Sequence, residues 1–233
     1  FFAMLWTISP LTGENIRKTY EKKAEKIISA ALEQDDSYSR LAYLCDTFGH
    51  RFSGSESLEL AIDWILAEMK SDGLENVHGE EVMVPKWVRG NESAELVQPY
   101  RKKLPMLGLG RSIATPSEGI EAEIVVVGSY DELETRKNEV KNKIVLFDVP
   151  FTTYGETVKY RYGGASAAAK QGAVASLIRS IAPFSMSTPH TGGMSYEEEI
   201  RKIPHAALTL EDATLLHRLQ DRGEKPIVRL YME

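Results

Sequence analysis

The sequence predicts an α/β protein in two parts: helices and a first strand up to about residue 84, then a mixed α/β, strand-rich unit over residues 85–233. Three observations point there. Long helical periodicity dominates the first third of the chain. Past Pro85 it gives way to short apolar runs split by proline and glycine. In RYGGASAAAKQGAVASLIRS, Arg161 to Ser180, a helix with a small-residue face is stopped by a glycine and followed by an apolar strand. Gly163, Gly164, Ala165, Ala168 and Ala169 let that helix lie close against a sheet. Gly172 can take the positive φ that ends it, and 173–178 forms the strand.

The chain opens on FFAMLW, six apolar residues followed by Thr7, Ile8, Ser9 and Pro10. The run is too short to span a membrane. Residues 1–10 read either as the tail of a secretory signal or as an apolar N-terminus that packs on the fold; no basic n-region precedes them. Glu14 to Leu32 carries Ile16, Tyr20, Ala24, Ile27, Ile28 and Ala31 at helical spacing, which predicts an amphipathic helix. A second helix runs from about Ser37 to Thr47, with Gly49 after it. Ser53-Gly54-Ser55-Glu56 then has the form of a capping box, with Ser53 as cap and Glu56 three residues on. The third helix follows to about Lys70, its stripe made by Leu58, Ile62, Ile65, Leu66 and Met69, and Asp72-Gly73 stops it.

Val77 to Val84 alternates in part and reads as a strand closed by Pro85. Further strands are predicted at Ser93–Val97, Lys103–Leu107, Glu121–Val127, Lys143–Val149 and Pro226–Tyr231. A surface helix is predicted at 131–140 and another over Thr209–Asp221, with Thr209 as cap. The first unit is incomplete taken alone, because its strand has no partner and its helices have no sheet to cover. Leaving Ile62, Ile65, Leu66 and Met69 in water forgoes about 1.5–3 kcal/mol each, comparable in sum to a domain's net stability of about 5–15 kcal/mol. The alternative is that this stripe packs on the second unit.

The net charge of −6, from 34 acidic and 28 basic residues without a basic run, gives no electrostatic footprint for nucleic acid. Cys45, the one cysteine, has no internal partner and sits amid Leu41, Leu44 and Phe48 as a small buried hydrophobe would. Asn91-Glu92-Ser93 is a glycosylation sequon in a polar loop.

No metal site assembles from the pattern. There is no HExxH and no paired-cysteine motif, and His50, His78, His190, His205 and His217 are scattered. His78-Gly79-Glu80 places two ligand types on one strand face, which solvent exposure explains better. Glu197-Glu198-Glu199 reads as a solvated loop or helix start, and Gly108-Leu109-Gly110 as a turn. Gly164-Ala165-Ser166-Ala167-Ala168 approximates a nucleophile elbow. Its last glycine is replaced by alanine, however, and helix packing explains the small residues as well. The loop from Pro183 to Gly193 carries aromatic, hydroxyl and imidazole groups. It reads as a surface excursion held by its own hydrogen bonds, or as a ligand contact.

Four stretches carry a resemblance: 51–99, beginning RFSGSESLELAIDW; LPMLGLGRSIATPSEGIEAEIVVVGSYDEL; KIVLFDVPFTTYGETVKYRYGGASAAAKQGAVASLIRS; and PFSMSTPHTGG. In order and with few gaps from about Ser37 onward, they closely resemble the carboxypeptidase Q family, also called plasma glutamate carboxypeptidase, of secreted and lysosomal di-zinc dipeptidases. The resemblance implies that residues 11–84 begin a zinc-peptidase α/β domain and that 85–233 form its protease-associated insert. It implies a homodimeric parent enzyme of the secretory pathway that hydrolyses dipeptides with free termini. The two zincs of that family sit on His, Asp and Glu ligands that include a His-x-Asp motif and a paired-glutamate motif with the general base.

None of these matches a position here, so no catalytic or zinc-binding residue is transferred, and the chain alone is expected to be inactive. His190, Thr191 and Gly192 match the family and are expected at a cleft or a dimer interface. The stretch YEEEIRKIP departs from the family, and His205 stands where a small or hydroxyl residue is more usual. Two readings follow: part of a zinc carboxypeptidase whose downstream half carries the metals, or a short non-catalytic protease-associated binding module.

Overall fold

The computed structural model describes residues 13–34 and 36–233, and the apolar opening segment lies outside the described residues. The chain divides into two compact units, one ending at Lys86 and the other Trp87–Glu233.

The first unit contains α1 (Gly13–Glu33), α2 (Asp36–Phe48) and α3 (Glu56–Ser71). α2 and α3 pair through aromatic rings: the Trp64 centroid lies 5.0 Å from that of Tyr43 and 5.8 Å from that of Phe48. Arg40 near the start of α2 donates from both Nη atoms to Asp72, at 2.7 and 2.6 Å, so a bidentate pair ties it to the C-cap of α3.

The cap of α3 is Ser55, not Ser53: its Oγ accepts from the Leu58 amide at 3.3 Å. Gly54, at φ +73°, turns the chain between the two serines and leaves the second in the extended conformation that a cap requires. Gly73 at φ +76° ends the helix as expected.

Two further expectations fail in this unit. Residues 77–84 form no strand, and Val82 and Met83 are exposed, because no neighbouring strand offers a hydrogen-bonding edge. Cys45 is exposed rather than buried, as is Leu41, since the face of α2 that carries them is uncovered. Within α2 and α3 only Ala61 is fully buried. Every residue of α1 from Ile16 onward is exposed.

The second unit is one eight-stranded sheet. Its centre is the parallel set β4 (Ile120–Val127), β5 (Ile144–Phe147), β6 (Ala175–Arg179) and β7 (His205–Leu208). Their sequences are near-continuous apolar runs because helices cover one face and a second core lies on the other. β8 (Ile227–Met232) joins β4 antiparallel, and β1 (Glu92–Gln98) with β2 (Lys102–Leu104) extends that side. β3 (Met106–Gly108) closes the far edge against β7. The two edge strands are separated in sequence by Pro105 alone, so the sheet curls until it is nearly closed. Pro105 also explains why the single strand expected at 103–107 is two.

Ile124, Val126, Leu146 and Leu177 point to the concave side, where α7 (Leu210–Asp221) packs with Ala213, Leu216 and Leu219. Val125, Val127, Val145 and Phe147 point to the other side, toward α4 (Tyr130–Thr135), α5 (Lys137–Val140) and α6 (Tyr154–Lys170). The helix expected over 131–140 is broken at Arg136. Its Nη1 donates to the Val126 carbonyl at 2.7 Å and its Nη2 to Glu139 at 2.8 Å, tying the break to the strand. Thr209 caps α7, and Gly172 ends α6's turn at φ +83°, both as predicted.

Candidate functional site

The small-residue face of α6 lets it sit tightly on β5 and β7, which brings its middle turn under the 183–196 loop. Ser166 lies inside α6, fully buried, with its Oγ accepting from the Glu197 amide at 2.9 Å. No strand precedes it and no elbow exists; Tyr160, Arg161 and Tyr162 are helical.

The loop is anchored at each of its three singled-out residues. The His190 amide donates to Ser180 Oγ at 2.7 Å, and that hydroxyl donates to the Leu208 carbonyl, while the His190 side chain stays exposed. Thr191 Oγ1 donates to the Gly108 carbonyl at 3.0 Å. The Gly192 carbonyl accepts from the Gly110 amide at 2.9 Å, and Met194 N returns to Gly110 O at 3.0 Å. The loop thus continues past the end of β3 as a short ladder, carrying an exposed imidazole.

Beneath it lies a group the sequence did not single out. Arg161 of α6 is 8% exposed, and a β-carbon on Gly192 would stand 2.6 Å from its Cζ. The signal was present only as an arginine among glycines and alanines on a helix face meant for packing.

At the C-terminal ends of β5 and β6, Asp148 accepts from Arg179 Nη1 at 3.0 Å and from His217 Nδ1 at 2.7 Å. Arg179 also donates to Thr214 Oγ1 at 3.1 Å. His205 is fully buried in β7, and its Nδ1 lies 3.1 Å from the Ser176 carbonyl. A carbonyl can only accept, so Nδ1 carries the proton. Burial pushes the imidazole down to about 4, so it is neutral.

His78 and Glu80 form an exposed pair at 3.5 Å. Asn91, exposed just ahead of β1, donates from Nδ2 to Glu233 at 2.8 Å. Among the described residues no three His, Cys, Asp or Glu side chains converge to hold a metal ion, so the residues present do not fit a zinc centre. No helix among them is long and apolar enough to cross a membrane.

No family model matches the chain. Carboxypeptidase Q of Xenopus laevis is 50% identical over 217 residues, 92% of this chain and 46% of the relative. That of Homo sapiens is 49% identical over 231 residues, 97% and 49%. Among solved structures, a peptidase M28 precursor from Shewanella amazonensis matches with TM-score 0.86 and 34% identity, over 92% of this chain and 50% of that one. A zinc aminopeptidase from Bacillus subtilis matches at TM-score 0.56 and 19% identity, a likeness of fold alone. The chain spans about half the length of the curated relatives it matches, and over that half it is homologous to the carboxypeptidase Q family.

Proposed function

We propose that this chain is the N-terminal portion of a carboxypeptidase Q-like zinc metallopeptidase that hydrolyses dipeptides with free termini. Residues 11–84 would open the peptidase domain and 85–233 would form its protease-associated insert. The observation that carries the reading is the near-50% identity across 91–97% of the chain to relatives about twice as long. The first unit supports it physically: Ile62, Ile65 and Met69 on α3 remain 37–39% exposed and Met83 is 97% exposed, as expected of a domain whose sheet would be supplied by the rest of a longer protein.

The catalytic and zinc-holding residues would then lie in the remaining half, and the 233 residues alone would not hydrolyse peptides. Two zinc ions, homodimerisation, a secreted or lysosomal location and a glycan on Asn91 belong to the same proposal.

The test is the natural protein, captured with an antibody to residues 85–233. A deglycosylated mass near twice 26.1 kDa, bound zinc and release of free amino acids from dipeptides are expected. A species near 26.1 kDa with neither zinc nor hydrolysis would replace this reading with the non-catalytic binding module.

A further inference from the structure

We infer that Arg161 anchors a carboxylate-binding site whose carboxylate comes from outside the described residues. Its guanidinium has five N–H donors, yet the structure gives it one hydrogen-bond acceptor, the Tyr154 hydroxyl at 2.6 Å from Nη2. Nε is buried with no acceptor at all, and no carboxylate among the described residues pairs with the side chain. The other half-buried arginines of this unit are each matched: Arg89 with Glu92, Arg136 with Glu139 and Arg179 with Asp148. Arg161 is the more deeply buried, 8% exposed, and stands without a counter-charge.

A buried cation left without a counter-charge is costly, and the planar fork of a guanidinium matches an oxyanion held by two parallel bonds, which within a protein or at a peptide terminus is a carboxylate. The loop that covers it carries no side chain at that point. Gly192 lies over the guanidinium with no side chain, and Gly193 beside it faces open space. The Tyr154 ring, whose centroid is 5.5 Å from Cζ, is itself half exposed.

Two sources supply the same chemistry. One is the terminal carboxylate of a peptide ligand, which rests on the peptidase reading above. The other is an Asp or Glu from the half of the relatives' length that this chain does not span.

The test uses the full-length protein containing this chain, as wild type, Arg161→Met and Arg161→Lys. Unfolding temperature is read with and without millimolar N-acetylalanine and N-acetylalaninamide, alongside dipeptide kinetics. A ligand carboxylate predicts that the acid but not the amide raises the unfolding temperature. Arg161→Met then weakens the acid's apparent affinity roughly 10- to 100-fold, the size of a lost charge-assisted bond, and Arg161→Lys recovers part. A carboxylate from the protein itself predicts no acid-specific response, a lower unfolding temperature for Arg161→Met and partial recovery in Arg161→Lys.

The inference is overturned if any acid response is indifferent to Arg161. It is equally overturned if, without such a response, Arg161→Met unfolds at or above the wild-type temperature, or loses stability that Arg161→Lys does not recover. An Arg161-dependent acid response in a protein that hydrolyses no dipeptide would sink the peptidase reading and leave this site standing.

Discussion

A β-carbon on Gly164 in α6 would stand 3.0 Å from the ring of Phe147 in β5 and 3.4 Å from Cε1 of His205 in β7. A side chain at this position would therefore press on the Phe147 ring, and its absence lets the helix sit close to the sheet. Gly164→Val should cost about 1–3 kcal/mol by overpacking. Gly163→Ala, one residue away, meets nothing nearer than the Tyr130 hydroxyl at 3.5 Å and should be neutral or gain up to about 1 kcal/mol of helix propensity. Urea unfolding of the two variants side by side checks the contrast; equal losses would show that α6 is less tightly seated.

Asp148 is the hub of a polar cluster at the C-terminal ends of β5 and β6, its side chain 6% exposed. Asp148→Ala leaves the Arg179 guanidinium, itself 20% exposed, without its carboxylate. The expected loss is about 3 kcal/mol or more, because an uncompensated charge is left behind. Asp148→Asn keeps an oxygen acceptor and should lose less. The midpoint of chemical unfolding at pH 7 distinguishes them.

His205 sets an acid sensitivity. Burial holds its folded pKa at about 4, below the ordinary histidine value of 6.5. Between those values the unfolded chain binds the proton and the folded one does not, so stability rises with pH across that window. The contribution is complete above about pH 6.5 and is lost as pH falls toward 4, amounting to about 3 kcal/mol at roughly 1.4 kcal/mol per unit. Unfolding free energies at pH 7 and pH 4.5 should therefore differ by about 2 kcal/mol more in the wild type than in His205→Gln. An unchanged slope would mean that the imidazole is hydrated.

At the head of α3 the assignment of the cap is directly testable. Ser55→Ala should cost about 1 kcal/mol, the usual value for losing a side-chain cap, whereas Ser53→Ala should stay within about 0.5 kcal/mol. The sequence spacing Ser53-x-x-Glu56 favours the opposite order, so unfolding midpoints of the two variants decide between motif and geometry.

The central strands were legible because burial on both faces writes an uninterrupted apolar run, IVVV in β4 and IVLF in β5. Thr209 and Gly172 were legible because caps and stops depend on one residue's own chemistry. β7 was not: HAAL has little strand preference of its own, and its pairing with β6 and β3 makes it a strand. Ser55 was hidden because the sign of φ at Gly54 selects between two serines. The Pro183–Gly193 loop could be seen as a loop, but its ladder to Gly108 and Gly110, some 80 residues earlier, is a tertiary fact. Arg161 was the least visible, since what distinguishes it is the carboxylate that no neighbour supplies.

Residues 77–84 carry the most direct test of whether the first unit belongs to a larger sheet. Their partial alternation suits a strand, yet they have no ladder, and Val82, Met83 and Val84 are exposed. A strand needs an edge to donate to, and an unpaired backbone gains nothing from being extended. Amide hydrogen exchange over 77–84 should therefore be fast in the 233-residue chain. If the proposed full-length protein adds a sheet that pairs with this segment, the same amides should be protected there by several orders of magnitude, since they would open only with that sheet. Val82→Pro would separate the two situations further. It removes a donor that is idle in the short chain, where the effect on stability should be negligible, and one that is paired in the long chain, where it should cost about 3 kcal/mol or more. Equal exchange in both proteins would mean that the segment is a linker, and the uncovered stripe of α3 would then need a different partner.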